Sequence, residues 1–162
     1  KLAEALAFAL DELEKYRNNE GSALAADISN RIGLVESFLG QIEPFENERS
    51  LALRNKLESS LLEFIPQESL DKNRYEQELI YYMEKIDIHE EQIRLRQHCE
   101  YFKDILNSPE NGKGKKLSFV LQEIGREINT TGSKAYDAEI QKCVVQMKDE
   151  LEKAKEQVLN VL

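Results

Sequence analysis

Apolar residues recur at intervals of three and four along almost the whole chain, which is the spacing of one face of an α-helix. No segment alternates apolar and polar residues as a half-buried strand would. The most regular run lies near the C-terminus and keeps the repeat of a coiled-coil seam. Its members are Ile140, Val144, Met147, Leu151, Ala154, Val158 and Val161. The pattern predicts an all-α fold of long antiparallel helical hairpins or a bundle, with coiled-coil-like seams.

Interruptions of this pattern predict where helices end. Residues 18–22 interrupt an N-terminal stripe and are either a turn or a weak point in one long helix. Further ends are predicted at Glu43-Pro44, at 65–69, at 107–114 and near Asn129, and a break with an N-cap is predicted at Asp87. We divide the chain into a helical hairpin region, 1–70, and a C-terminal helical domain, 71–162.

Composition narrows the class of protein. No apolar run approaches the roughly 20 residues that span a bilayer, and no signal peptide is present, so we expect a soluble, cytoplasmic protein without a membrane partner. Cys99 and Cys143 lie far apart in helical patterns and are predicted to be inert core thiols in a reducing compartment. Lys1 already lies within the first apolar-periodic helix, and we expect an N-terminal part to be missing.

The formal net charge of −9 argues, as a global number, against a nucleic-acid partner. It does not exclude a local basic groove, and it leaves carboxylates available for a metal ion. One short basic cluster exists, made of Lys113, Lys115 and Lys116 among glycines. It is either a contact for a nucleic-acid backbone or a solubility device. Beyond Phe119 and Tyr136, no aromatic residue nearby is evident as a platform for stacking single-stranded bases.

A first polar row follows Asp87. Glu91, Arg94 and His98 are spaced three and four, so they flank the apolar stripe of one helix. The spacing is typical of an ion-pair ladder on a solvated face. The same row is also typical of a carboxylate, a guanidinium and an imidazole that line a cleft.

A second polar row contains Glu123 and Glu127, which are four residues apart, next to Arg126. Like charges at that spacing are unfavourable in an isolated helix, so a cation from another helix, a metal ion or solvent exposure should compensate them. Two carboxylates on one face suit Mg²⁺, which keeps several of its waters. The alternative is a plain acidic surface.

A third group is the segment from Asn129 to Lys134, followed by Asp137. Hydroxyls, free backbone N–H groups and a lysine before a helix N-terminus predict a phosphate cradle. Ser133 or Asp137 is equally well explained as a helix cap. The segment is not a Walker A motif, which needs its glycines before the lysine and a Ser or Thr after it.

Taken in order, these groups resemble the C-terminal domain of the YicC/YloC family of bacterial proteins. The resemblance covers nearly half of the chain, from about Asp87 to the end. The residues that carry it are Asp87-Ile88, Glu90-Glu91, Arg94-Leu95, His98, Phe102, Gly114-Lys115-Lys116-Leu117, Phe119, Gln122-Glu123, Arg126-Glu127, Asn129-Thr130, Ser133-Lys134, Asp137, Lys148, Glu156-Gln157 and Asn160. Departures from the family pattern include Val161-Leu162 in place of a final acidic residue, Lys155 in place of arginine, and Gly125, which is expected to permit a close backbone approach.

The resemblance implies a cytoplasmic endoribonuclease that needs a divalent metal, Mg²⁺ or Mn²⁺, and assembles as a hexamer around RNA. It also implies a further domain before Lys1. On this reading, we assign the residues to three roles from their chemistry. The catalytic candidates are His98, Glu91, Glu123 and Glu127; the RNA or phosphate ligands are Arg94, Lys116, Arg126, Asn129, Ser133 and Lys134; and the metal ligands are Glu123, Glu127 and Asp137. The alternatives are a non-enzymatic RNA-binding or adaptor module and a structural oligomerisation domain.

Overall fold

The computed structural model describes residues 2–64, 72–109 and 112–158, and the regular structure in these ranges is entirely α-helical. The all-α prediction is confirmed. The helices are α1 (Leu2–Phe64), α2 (Lys72–Ile86), α3 (His89–Asn107), α4 (Gly114–Lys134) and α5 (Ala138–Val158).

Helix α1 runs without a break through residues 18–22 and through Pro44, so the predicted helix end at Glu43-Pro44 is wrong. A proline inside a helix removes one hydrogen bond and crowds the preceding turn. Anchors on both sides hold the helix straight enough to continue. Ile42 is fully buried before the proline, and the Arg49 side chain is buried after it. Further along α1, the spacing of Leu53, Leu57, Leu61 and Phe64 also predicts an apolar stripe, and these four side chains lie outside the described ones.

Helix α4 continues to Lys134, so the predicted end near Asn129 is also wrong. Its buried face extends past that point through Thr131, and Ala135 is buried immediately after the helix. Packing on this face outweighs the weak helix propensity of the Thr-Thr-Gly-Ser segment. Only residues 135–137 then connect α4 to α5.

Helix α5 packs against α1 and α4, and α3 packs against α4 and α1, so these four helices enclose one core. The predicted seam of α5 is buried from Ile140 to Val158, and Val161 lies outside the described residues. Two glycines let α4 approach α5 closely. A Cβ atom at Gly125 would lie 3.1 Å from Leu151 Cδ2, and one at Gly132 would lie 3.0 Å from Val144 Cγ1. The close approach expected at Gly125 is confirmed.

The first part of α1 differs from the rest of the bundle, because residues 2–23 are exposed throughout. The predicted apolar stripe of Leu2, Leu6, Leu13 and Tyr16 therefore has no packing partner in the described part of this chain. Further along α1, apolar residues between Ile28 and Ile42 join the same core as α3, α4 and α5. The division at residue 70 stays a prediction. None of the described helices is long and apolar enough to cross a membrane.

The two cysteines are buried and form no disulfide. Burial raises the pKa of the Cys99 thiol to about 12, which leaves almost no reactive thiolate at neutral pH. This placement agrees with the predicted role of core thiols.

Candidate functional site

The start of α3 places the first polar row beside α4. The Asp87 carboxylate accepts the backbone N–H of His89 at 2.8 Å, at the first turn. Leu95, Cys99 and Phe102 are fully buried, and they fix which face of α3 points into the core. The row of Glu91, Arg94 and His98 then lies at the edge of that face, along the contact with α4.

A cluster of ion pairs joins α3 to α4 at this edge. Arg94 Nε donates to Glu127 Oε2 at 3.2 Å, and Arg94 Nη2 donates to Glu91 Oε1 at 3.2 Å. A third pair, between Arg94 Nη1 and Glu90 Oε1, measures 2.7 Å. Burial by itself would lower the pKa of Arg94, but the hydrogen bond and charge of Glu127 and the charges of Glu90 and Glu91 outweigh it and raise that pKa. The compensating cation for Glu127 therefore comes from another helix.

Lys134, at the end of α4, completes the cluster by donating to Glu91 Oε1 at 2.9 Å. Glu91 is only 3% exposed and Glu127 only 5%, so both carboxylates are held away from water. Both cations reach the same oxygen of Glu91. Within the described part of the chain, Glu91 Oε2 is buried and has no hydrogen-bond partner. Such an unmet acceptor is costly in a folded protein, so a bound water, an ion or a ligand group would be stabilised at this position.

His98 on α3 and Glu123 on α4 both lie along this edge, between its two ends. Arg94 contacts Glu127 at one end of the antiparallel pair, and Lys116 contacts Tyr101 at the other. His98 is one turn from both Arg94 and Tyr101, and it is half-buried. On α4, Glu123 is one turn before Glu127 and is also half-buried.

The three carboxylates predicted as metal ligands have different surroundings. Glu127 accepts from Arg94, and Asp137 Oδ1 caps α5 by accepting the backbone N–H groups of Glu139 and Ile140 at 2.9 and 3.0 Å. Glu123 has a long contact of 4.0 Å with Arg126. No group of three or more His, Cys, Asp and Glu residues in the described ranges is placed to hold a metal ion. The metal assignment therefore stays a prediction.

The segment predicted as a phosphate cradle is the last turn of α4 and not a loop. Its backbone N–H groups belong to the helix. The hydroxyls of Thr130 and Ser133 bond to helix carbonyls, whereas the buried Thr131 hydroxyl has no partner among the described residues. Thr130 Oγ1 donates to Arg126 O at 3.1 Å, and Ser133 Oγ donates to Thr130 O at 2.9 Å. Any phosphate contact here would therefore come from side chains on the helix surface.

All of the exposed residues of α4 share one face, which we call the α4 polar row. They are Lys115, Lys116, Phe119, Gln122, Arg126, Asn129 and Ser133. The row contains no carboxylate, although the chain as a whole carries a net charge of −9. It runs about 27 Å along the helix at about 1.5 Å per residue, directly beside the edge that carries Glu123 and Glu127.

Comparison with known proteins identifies the fold that carries this site. The model of the family described as "Endoribonuclease YicC-like, C-terminal" matches residues 42–162. The chain belongs to the YicC-like family. The match includes all of α2 to α5, so the ion-pair cluster and the α4 polar row both lie within it. The resemblance inferred from the sequence is confirmed.

Two curated relatives of the YicC-like family are similar over nearly the whole chain. "Probable endoribonuclease YicC" of Clostridioides difficile (strain 630) is 36% identical over 161 residues, which are 99% of this chain and 55% of that protein. The protein of the same name from Haemophilus influenzae (strain ATCC 51907 / DSM 11121 / KW20 / Rd) is 33% identical over 153 residues, which are 94% of this chain and 52% of that protein. The chain thus spans about half the length of these relatives.

Sequence reasoning missed two contributors to this edge. Tyr101 continues the row of His98 by one further turn, so the three-residue spacing was a signal that could have identified it. Arg49 donates to the main-chain oxygens of Ile86 and Lys134 at 2.7 and 3.3 Å. No spacing links Arg49 to these residues, because they lie far from it along the chain.

Proposed function

We propose that this chain is the part of a metal-dependent endoribonuclease that holds RNA and supplies groups that cleave its phosphodiester bonds. The observation that carries the proposal is the juxtaposition of the α4 polar row with an edge of buried carboxylates and His98. The two relatives are both named "Probable endoribonuclease YicC", which supports the same class of reaction.

In this proposal, the α4 polar row binds the RNA backbone. Lys116 and Arg126 contribute positive charge, and Asn129 and Ser133 contribute polar side chains that can bond phosphate or ribose oxygens. The absence of carboxylates from the row avoids repulsion of the phosphates. Lys134 and Arg94 retain N–H groups beyond those bonded to Glu91, Glu90 and Glu127, and these can also reach a phosphate.

Cleavage requires one group that takes a proton from the attacking oxygen and another that protonates the leaving oxygen. His98 lies between the ion-pair cluster and Tyr101, where it can exchange a proton with bound RNA. Glu91 and Glu127 are the other candidates by position, since both buried carboxylates contact Arg94 on the same edge. Glu123 lies between this edge and the α4 polar row.

The divalent metal is part of the proposal, and Glu123 is its best protein ligand among the described carboxylates. Its carboxylate is partly exposed, and within the described residues its ion pair is the long contact with Arg126. Mg²⁺ is often held by one or two carboxylates together with waters and substrate phosphates, so Glu127 and RNA would complete the set. When bound, such a metal supplies an activated water and stabilises charge on the phosphate.

We also propose a hexameric assembly and a cytoplasmic location, as the family resemblance implies. The exposed apolar stripe of residues 2–23 is consistent with burial against another copy of the chain. Light scattering measures the assembly directly, and a monomer at micromolar concentration would contradict it for this chain.

The test is cleavage of a labelled single-stranded RNA with added Mg²⁺ or Mn²⁺ and with a chelator. We expect His98→Asn, Glu123→Gln and Glu127→Gln each to lower the rate by about 10²- to 10⁴-fold, the usual contribution of an acid–base group. Glu139→Gln is the matched control, because Glu139 is an exposed carboxylate outside the α3–α4 edge. Circular dichroism verifies the fold of each variant. Undiminished metal-dependent cleavage by the two glutamine variants would overturn the assignment.

A non-enzymatic RNA-binding module is the second candidate. It is favoured by the internal neutralisation of Glu91 and Glu127 by Arg94 and Lys134, which is also what a purely structural cluster would show. Salt-sensitive RNA binding without turnover in any divalent metal would support this candidate and exclude the nuclease assignment for the chain alone.

A further inference from the structure

Two exposed aromatic rings lie at the N-terminal end of the α4 polar row. Phe119 is 63% exposed, and Tyr101, on the neighbouring helix α3, is 48% exposed. Lys116 joins them, because its Nζ lies 5.8 Å from the centre of the Tyr101 ring and Phe119 follows it by one helical turn on α4. Exposure of a single large apolar side chain is ordinary, but this pair is flanked by lysines.

The lysines at this end have different roles. Lys113 is occupied at the end of α3, where its ammonium donates to the main-chain oxygens of Leu106 and Ser108. Lys115 and Lys116 are exposed and remain available to a ligand. The surface therefore combines two aromatic faces with two positive charges.

This combination matches the chemistry of single-stranded nucleic acid. Unpaired nucleobases stack on aromatic side chains, and the phosphates that link them pair with nearby lysines. A duplex offers no free base face, so it would use only the charges. A protein partner with an apolar patch would instead gain from the rings and be indifferent to nucleobases.

We propose that Tyr101 and Phe119, with Lys115 and Lys116, form a stacking platform that selects unpaired RNA and feeds it along the α4 polar row. The inference rests on the proposed function and deepens it, because it names the class of RNA and the residues that recognise it. The platform lies two helical turns from Glu127 along α4, so a base stacked there sets which phosphate reaches the carboxylate edge.

The test is equilibrium binding of a fluorescent short single-stranded RNA to the full chain in a chelator, where cleavage is not required. Two further probes are the same sequence as a duplex and a strand with abasic sites. We expect Phe119→Ala and Tyr101→Ala each to weaken single-strand binding by about 5- to 100-fold, the range for loss of one stacked base. Phe119→Trp should keep wild-type affinity, and binding of the duplex and of the abasic strand should change little in any variant.

Phe8→Ala is the matched control, since Phe8 is 68% exposed but lies on the N-terminal part of α1, away from this surface. An equal loss of affinity in Phe8→Ala and Phe119→Ala would overturn the platform. So would wild-type affinity of both alanine variants, or a change in self-association without a change in RNA binding. If the wild-type chain bound none of the RNA probes, the platform and the proposed function would both fail. Wild-type affinity of both alanine variants would overturn the platform alone.

Discussion

Two buried ion-pair clusters of similar composition hold this bundle together, and they differ in what surrounds them. At the α1–α5 contact, Arg31 pairs with Asp27 and Glu150, and Lys153 pairs with Glu150. Both oxygens of the Glu150 carboxylate are hydrogen-bonded, although Arg31 Nε is buried without a partner among the described residues. At the α3–α4 contact, one oxygen of the Glu91 carboxylate receives two cations, and the other, a buried acceptor, receives no hydrogen bond from the described part of the chain.

The surfaces next to the two clusters differ even more. The exposed positions of α5 include four carboxylates, Glu139, Asp149, Glu152 and Glu156, but only two cations, Lys142 and Lys148, so this surface would disfavour a polyanion. The exposed positions of α4 include no carboxylate. The α3–α4 edge is proposed to act on RNA because of this surface, and not because it contains a buried ion pair, which both contacts have.

The largest expected difference between the clusters is in stability. Arg94→Met removes the cation that pairs with the buried Glu127, while Glu91 keeps Lys134, whereas Arg31→Met leaves Glu150 paired with Lys153. We expect the unfolding midpoint to fall by roughly 10 °C in Arg94→Met and by less than half of that in Arg31→Met. Thermal unfolding followed by circular dichroism measures both, and equal losses would contradict the asymmetry between the clusters.

The second difference concerns pH. Hydrogen bonding to Lys153, and then to Arg31, lowers the pKa of Glu150 below its ordinary value of 4.5 despite the opposing effect of burial. Since the folded-state pKa is the lower one, Glu150 contributes stability above about pH 4.5, and this contribution is lost as the pH falls through the folded-state value.

Glu150→Gln should therefore be less stable than wild type at pH 7, and the two proteins should converge in acid. Urea unfolding at several pH values measures this difference. A gap that stays constant between pH 7 and pH 3 would show that the Glu150 charge is not the cause.

A smaller effect separates the cap role of Asp137 from its predicted metal role. Asp137→Ala removes the acceptor for two backbone N–H groups and should cost about 1 kcal/mol of unfolding free energy. Asp137→Asn keeps that acceptor and should restore most of the stability. If Asp137→Asn is stable but abolishes metal-dependent cleavage, the metal assignment gains support; full activity would remove Asp137 from the metal set.

The smallest effect comes from glycines in the two packing environments. Gly40 lies in α1 with open space around its Cβ position, so Gly40→Ala should stabilise the protein by about 0.5–1 kcal/mol through helix propensity. Gly132→Ala should gain less or lose stability, because its Cβ would lie 3.0 Å from the stiff Val144 side chain. Equal gains at both positions would contradict the close α4–α5 approach.

Periodicity predicted the helices well wherever packing and local signals agree. The seam of α5 from Ile140 to Val158 is buried as its spacing requires. Helix-breaking residues led to wrong predicted helix ends at Pro44 and near Asn129. At both places, tertiary packing on either side of the segment outweighs its weak helix propensity. The exposure of residues 2–23 was also not predictable, since a stripe shows which face is apolar but not whether a partner is present.

The candidate site was predictable in part for the same reason. Helical spacing put Glu91 with Arg94, and it predicted that a cation from another helix, a metal ion or solvent exposure compensates Glu123 and Glu127. It did not identify Arg94 as that cation, because the register of α3 against α4 is set by the core. The pairing of Lys134 with Glu91 depended on α4 continuing to residue 134, which propensity alone did not predict.

Arg49 links the C-terminal ends of α2 and α4. Its guanidinium bonds to the last carbonyls of α2 and α4, at Ile86 and Lys134, where helices ordinarily fray. Because one side chain satisfies both ends, opening of either terminal turn weakens the hold on the other, and the two fray together. The position of the Lys134 ammonium, which donates to Glu91, therefore depends on a residue of α1, a helix outside the α3–α4 edge.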